Sequence, residues 1–247
     1  MDNKYWVPAV EKADLILRTI ADRPGELRLI DLSKQLQIHK SSMFSLLNTL
    51  EKLDWIRRDK ADTFRLGPSL GSLAGGYFKN NDLIASFHHE AAITKAKVEE
   101  TIQLAELTGK DILYLAKEEF PSPVRLASEP GMRLLAHSTA LGKVLLADLA
   151  DDQIELLLTE EPFVQLTPHT IRTREELLGA LVQARELGYG LDEEEAVLGF
   201  CCVAVPVSKQ GKVVSAISCS MPKHHWETKR EFVVSEMRKL GARLSLG

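Results

Sequence analysis

The sequence predicts an α+β chain in two parts, an N-terminal winged helix-turn-helix and a larger C-terminal α/β domain, joined by a linker helix. Three observations predict it. Within the first 53 residues, apolar side chains recur at helical spacing in three successive stretches. Two short β-prone runs around a polar turn follow at once. From Ile112 onward, strand-like and helical segments are mixed, as in a sensor-sized α+β domain.

Val10, Ala13, Leu15, Ile16, Leu17 and Ile20 set the first helix, over roughly 8–22, and Pro24-Gly25 ends it as a turn. Leu29, Leu32, Leu36 and Ile38 mark a short second helix with Asp31 and Ser33 near its start. The third begins at Lys40, where Ser41 or its neighbour is placed to cap it, and Met43, Leu46, Leu47, Leu50 and Leu53 bury one stripe. After Asp54, residues 55–58 and 63–66 read as a strand pair around Asp59-Lys60-Ala61-Asp62, with Trp55 and Phe64 packing beneath it.

Gly67-Pro68 punctuates a boundary. Ser69 to about Gly109 reads as helical, interrupted near Gly75-Gly76 and Asn80-Asn81. Strands are expected at 112–116 and 124–127, helices near 139–149, 151–158 and 173–187, strands at 202–207 and 213–220, and a last helix over roughly 226–244. The expected division is an N-terminal domain at 1–67, a linker helix at 68–82 and a larger domain at 83–247. No internal repeat or low-complexity segment is evident.

Composition excludes several classes. The 247 residues are 45% hydrophobic and 27% charged, near the globular average. No apolar run approaches the ~20 residues that a bilayer span needs, so a membrane protein is not expected. The start lacks the regions of a signal peptide, and three cysteines, two of them adjacent at Cys201-Cys202, make no disulfide framework. A cytoplasmic setting is the expectation. The net charge of −4 hides an asymmetry: residues 1–80 hold 13 Lys and Arg against 10 Asp and Glu, a net of +3, and the remainder carries −7. The basic part is N-terminal, where a polyanion would bind.

In a helix-turn-helix the second helix of the motif enters the major groove. On the helix from Lys40, the residues left for the groove are Lys40, Ser41, Ser42, Ser45 and Asn48. Lys40, Ser41 and the first-turn amides suit phosphate, while Ser45 and Asn48 are placed to read bases. Arg57, Arg58, Lys60 and Arg65 would track the backbone or a minor groove. The alternative is that the serines only cap a helix and the arginines are solvated. A helix-turn-helix serving protein contacts is a second reading, which salt dependence discriminates.

The larger domain offers a small-molecule site. Ser138 or Thr139 can cap a helix opened by Ala140, Leu141 and Gly142, and unpaired amides at such an end suit a carboxylate. Ser218 and Ser220 share one strand face, and Cys202 lies alongside Ala204, away from Cys201. Phe200 and either Leu134 or Met132 would form an apolar wall, and Asp192 an acceptor for a hydroxyl, hydrated carbonyl or amine. The expected effector is a small acid with a polar substituent. Alternatively, these are ordinary small residues of a packed sheet, and Asp192 opens a turn.

Cys202, His137 and Asp192 can be drawn as a nucleophilic triad, but no local signature supports a Cys-dependent enzyme, and His137 reads as structural. His88-His89, His224-His225 and the cysteine pair lack metal-ligand spacing. No glycine cluster continues into Gly-Lys-Ser/Thr, so neither ATP nor a nicotinamide cofactor is expected.

Several segments together resemble the IclR family of bacterial transcriptional regulators, over nearly the whole chain. Residues 32–36, 38–42 and 46–50 resemble its DNA-reading helices, and His137-Ser138-Thr139-Ala140-Leu141-Gly142-Lys143 its mid-chain hallmark. Residues 188–195 and 199–207 are similar to its ligand-pocket segment, and 216–220 to the strand closing the pocket. The chain departs from the family at Ser45, where arginine is common, and at Asp54 and the hairpin tip, where glycine is. The resemblance implies a GAF-like effector domain binding a small metabolite, and a dimer or dimer of dimers. Paired N-terminal domains would then bind two half-sites of a pseudopalindromic duplex, with ligand altering their spacing through the linker.

Overall fold

The structure, a computed structural model, describes residues 6–79 and 82–246. It falls into two compact units, residues 1–81 and 82–247.

In the first unit, α1 (Pro8–Asp22), α2 (Leu29–Gln35) and α3 (Lys40–Lys52) precede a hairpin of β1 (Ile56–Arg58) and β2 (Phe64–Leu66). The three apolar stripes meet in one core. Ile16, Ile20, Leu32, Met43, Leu47, Leu50, Ile56 and Phe64 are buried there, with Trp55 packed against them. Between α2 and α3, Gln37 turns the chain at φ 53°, and the buried Ser33 hydroxyl donates to the Ile38 carbonyl at 2.7 Å. That bond fixes the turn of the motif. Ser41 does not cap α3: His39 is the N-cap, without a side-chain bond, and Ser41 and Ser42 lie inside the first turn. Helix α4 (Pro68–Lys79) follows, with Gly75 and Gly76 inside it and Asn80-Asn81 outside the described residues.

The second unit begins with α5 (Asp82–Val98) and contains an antiparallel sheet of β3 (Thr101–Thr108), β4 (Asp111–Glu118), β5 (Arg133–Leu135), β6 (Gly190–Glu193), β7 (Phe200–Lys209) and β8 (Lys212–Pro222). Its order is β5-β4-β3-β8-β7-β6. Helices α6 (Ala140–Ala147), α7 (Asp151–Leu157) and α8 (Arg174–Leu187) precede β6, and α9 (Lys223–Leu246) ends the chain. Helices α5 and α9 pack together against one sheet face, where Gly241 meets Val205. Alternation turns Ala204 and Cys202 to the opposite face, into the core formed by α6 and α8. No helix among the described residues is long and apolar enough to cross a membrane.

Two expectations for this unit are corrected. The helical reading to Gly109 fails, because α5 stops at Val98 and residues 101–108 form β3, a strand between two others. Residues 124–127 form no strand: Pro121 and Pro123 precede them, and the edge of β4 is taken instead by β5. Asp192 lies near the end of β6, opposite Cys202.

Candidate nucleic-acid interface and ligand pocket

Because Met43, Leu47 and Leu50 hold α3 to the core, the opposite face must meet solvent. Lys40, Ser41, Ser42 and Ser45 are exposed and Asn48 is half-buried. Their hydroxyls differ. Ser45 donates to the Ser41 carbonyl at 3.1 Å, whereas those of Ser41 and Ser42 have no protein partner among the described residues. With no side-chain cap, the first-turn amides of α3 also stay open to an acceptor.

Asp59 organises the hairpin. Its carboxylate accepts the Ala61 amide at 2.9 Å, the Thr63 amide at 3.1 Å and the Thr63 hydroxyl at 2.7 Å, and these bonds hold its pKa down at about 2. Each wing arginine has an acidic partner: Arg57 meets Asp54 at 3.1 Å, Arg65 meets Asp59 at 3.3 Å, and Arg58 lies 3.6 Å from Glu51 and 3.8 Å from Asp62. Arg58 also covers the ring of buried Phe64 at 5.1 Å. Lys60 has no carboxylate partner among the described residues.

In the second unit the sheet register assembles a polar row on the α6 face. Ser220 lies opposite Cys202, and Cys202 opposite Asp192; one step along, Gln103 lies opposite Ser218. All five are buried. Gln103 Oε1 takes both serine hydroxyls, its Nε2 donates to buried Ser128 Oγ at 3.3 Å, and Cys202 Sγ lies 3.2 Å from Ser220 Oγ. Buried Tyr114, its hydroxyl pKa pushed up by burial and by Cys202 and Asp192, belongs to the same patch. Gln103, Ser128 and Tyr114 were not among the expected site residues.

Asp192 Oδ1 accepts the Glu195 amide at 2.7 Å and the Ala196 amide at 3.3 Å, while burial, with the Glu195 charge behind it, pushes the carboxyl up to about 7. Buried Lys143 donates to the Leu191 carbonyl at 2.8 Å and pairs with the Glu195 carboxylate. Of the two capping candidates, Thr139 caps α6, accepting the Gly142 amide at 2.9 Å, and Ser138 donates to Leu135 instead. The Ala140 and Leu141 amides have no protein partner among the described residues.

The apolar residues do not stand as one wall. Leu134 on β5 packs in the α6 core, Phe200 is half-buried at the start of β7, and three strands separate the two. Met132 is 37% exposed, its sulfur accepting the Glu129 amide at 3.3 Å. The suggested triad is not assembled either. His137 Nε2 bonds to the Val164 carbonyl at 3.0 Å and its ring lies against Phe163, while burial and Asp192 push the Cys202 thiol pKa well up.

Two family models match the chain: an IclR helix-turn-helix domain over residues 9–60 and the C-terminal domain of bacterial IclR transcriptional regulators over residues 75–246. The chain is 34% identical over 218 residues to the HTH-type transcriptional regulator XynR of Escherichia coli K12, covering 87% of this chain and 86% of that one. Its structure is similar to an IclR transcriptional regulator from Alicyclobacillus acidocaldarius, with a TM-score of 0.85, 27% identity and coverage of 98% and 99% of the two chains. In fold alone it is also similar to an IclR homologue from Microbacterium hydrocarbonoxydans complexed with 4-hydroxybenzoate, with a TM-score of 0.82, 21% identity and coverage of 96% and 98%.

Proposed function

The chain belongs to the IclR family of bacterial transcriptional regulators, and from that premise we propose that it binds duplex DNA through α3 and the wing and releases or tightens that grip when a small carboxylic acid enters its C-terminal domain. One observation carries the DNA half: a polar, uncapped face of Lys40, Ser41, Ser42 and Ser45 on a helix whose other side is locked in a core. Small hydroxyls admit close approach, Asn48 follows one turn later, and Lys60 and the wing arginines run beside the backbone.

The effector half rests on the buried polar row. Ala140 and Leu141 offer open amides at a helix start, to which a carboxylate is suited. Ser218, Ser220 and Cys202 face the same core, and an entering ligand would exchange its own polar groups for the bonds to Gln103. With its carboxyl pushed up to about 7, Asp192 is partly protonated at neutral pH and can donate to a ligand oxygen, which relieves its repulsion of an acid. Leu134, Phe200 and Met132 are the proposed apolar contacts of the ligand. The role needs no catalytic step. A cytoplasmic homodimer or dimer of dimers on a pseudopalindromic operator, with residues 68–82 as transmitting segment between a domain at 1–67 and one at 83–247, completes the proposal.

Full-length protein used to select duplexes from a random pool, then titrated with a panel of small carboxylates including 4-hydroxybenzoate, tests both halves. Selected DNA whose affinity shifts at least severalfold with one acid, and a Ser220→Ala variant that loses the shift while still binding DNA, are expected. Turnover of a compound with no duplex selected overturns the proposal.

A further inference from the structure

The wing arginines are not the cations most available to a polyanion. Arg57, Arg58 and Arg65 each sit against carboxylates of their own hairpin, of α3 or of the segment between them. Moving one onto a phosphate leaves its acidic partner beside that phosphate, which cancels much of the gain. Lys12 and Lys40 differ, since neither has a carboxylate partner among the described residues, and at the hairpin tip the same is true of Lys60.

The period of α1 determines where Lys12 lies. Ala9, Lys12, Ile16 and Ile20 recur at spacings of three and four and therefore share one face. Ile16 and Ile20 are buried in the core with Met43 and Leu47 of α3. One turn earlier the same face leaves the core, and Ala9 and Lys12 line a shallow groove of about 380 Å³ with Ser41, Ser42, Ser45 and Leu46. The groove thus joins an unpaired ammonium to two unpartnered hydroxyls and to the open amides of α3. All of these are donors, and among the described residues nothing anionic lines the groove.

We infer that Lys12 anchors a backbone phosphate of the DNA strand bordering the groove that α3 enters, and that it supplies a larger ionic share of binding than the paired wing arginines. The inference rests on the proposal that the protein binds DNA through α3. Lys12 is exposed and alanine favours helix more than lysine does, so Lys12→Ala leaves the fold in place.

Fluorescence anisotropy of a labelled random-sequence duplex of about 40 base pairs, between about 50 and 200 mM KCl, needs no known operator because such binding is almost wholly to phosphates. The full chain is compared with Lys12→Ala, Lys12→Arg and the double variant Arg57→Ala/Arg58→Ala. Lys12→Ala should weaken binding roughly three- to tenfold at the lower salt and flatten the slope of log K against log salt by about 0.9, the share of a single neutralised phosphate. Lys12→Arg should restore both, and the double arginine variant should flatten the slope less. Wild-type affinity and slope in Lys12→Ala, or a larger loss in the double variant, overturns the inference while the DNA reading stands. A wild-type chain that ignores the duplex at about 50 mM KCl overturns the DNA reading as well.

Discussion

Gln103 Oε1 accepts the Ser218 hydroxyl at 3.0 Å, tying β3 to β8 across the buried face of the sheet. The same oxygen accepts Ser220 at 3.2 Å. Removing this acceptor while leaving the buried donors is more damaging than removing all three groups, because an unsatisfied hydroxyl keeps its desolvation cost. Gln103→Leu should therefore lower stability by roughly 1–3 kcal/mol in urea denaturation. Adding Ser218→Ala and Ser220→Ala should recover part of the loss; a triple variant less stable than Gln103→Leu alone would show that the bonds to Gln103 are not the source.

Gly142 is required by backbone proximity. A Cβ there would lie 2.0 Å from the Ala136 carbonyl oxygen and 2.4 Å from its Cα, atoms that cannot move without displacing the turn before α6. Gly142→Ala should cost roughly 3 kcal/mol, the upper end of ordinary overpacking. Helix propensity alone would make the substitution favourable. A thermal melt at or above wild type would thus refute the close approach that aims the Ala140 and Leu141 amides.

The helix-turn-helix was legible because each helix buries one stripe, and Met43, Leu47 and Leu50 occupy the core as their spacing requires. Strand β3 was not. Helix α5 ends through Glu99 in a left-handed conformation at φ 57°, a position where glycine would have marked the stop, and β3 begins two residues later. Residues 124–127 carry β-branched and apolar side chains but find no partner strand, a fact no local pattern contains. In the ligand site, Ser218 and Ser220 could be assigned to one face by alternation, whereas Gln103 lies 115 residues from Ser218 and reaches it only through the register. The wing arginines were legible as cations, but their neutralisation by Asp54, Glu51, Asp62 and Asp59 depends on the hairpin geometry.

Acid should loosen the wing before it unfolds the rest. The Asp59 carboxyl is lowered from its usual 3.8 to about 2, so the hairpin gains from its ionisation above about pH 4 and loses that gain as pH falls toward 2. The protection of the Ala61 and Thr63 amides, measured against their intrinsic exchange rate at each pH, should fall across that interval, while the buried amides of β8 stay protected. Asp59→Ala, which removes both acceptor oxygens, should show the lowered protection already at pH 7. Unchanged protection at Thr63 in that variant would mean that the turn is held by its backbone alone.

Asp192 sets the opposite sign. Its carboxyl is raised from 3.8 to about 7 by burial and by Glu195, so between these values the native state binds a proton that the unfolded chain has released. The stability this group contributes is therefore present below about pH 4, declines as pH rises to 7 and is level beyond. Asp192→Asn cannot titrate, yet its side-chain oxygen still accepts the Glu195 and Ala196 amides. Urea melts from pH 4 to 8 should then diverge, the variant gaining on wild type as pH rises and the difference flattening near pH 8. Parallel curves would place the charge of Asp192 in a solvated site, and with it remove the partly protonated donor that the proposed acid effector is expected to meet.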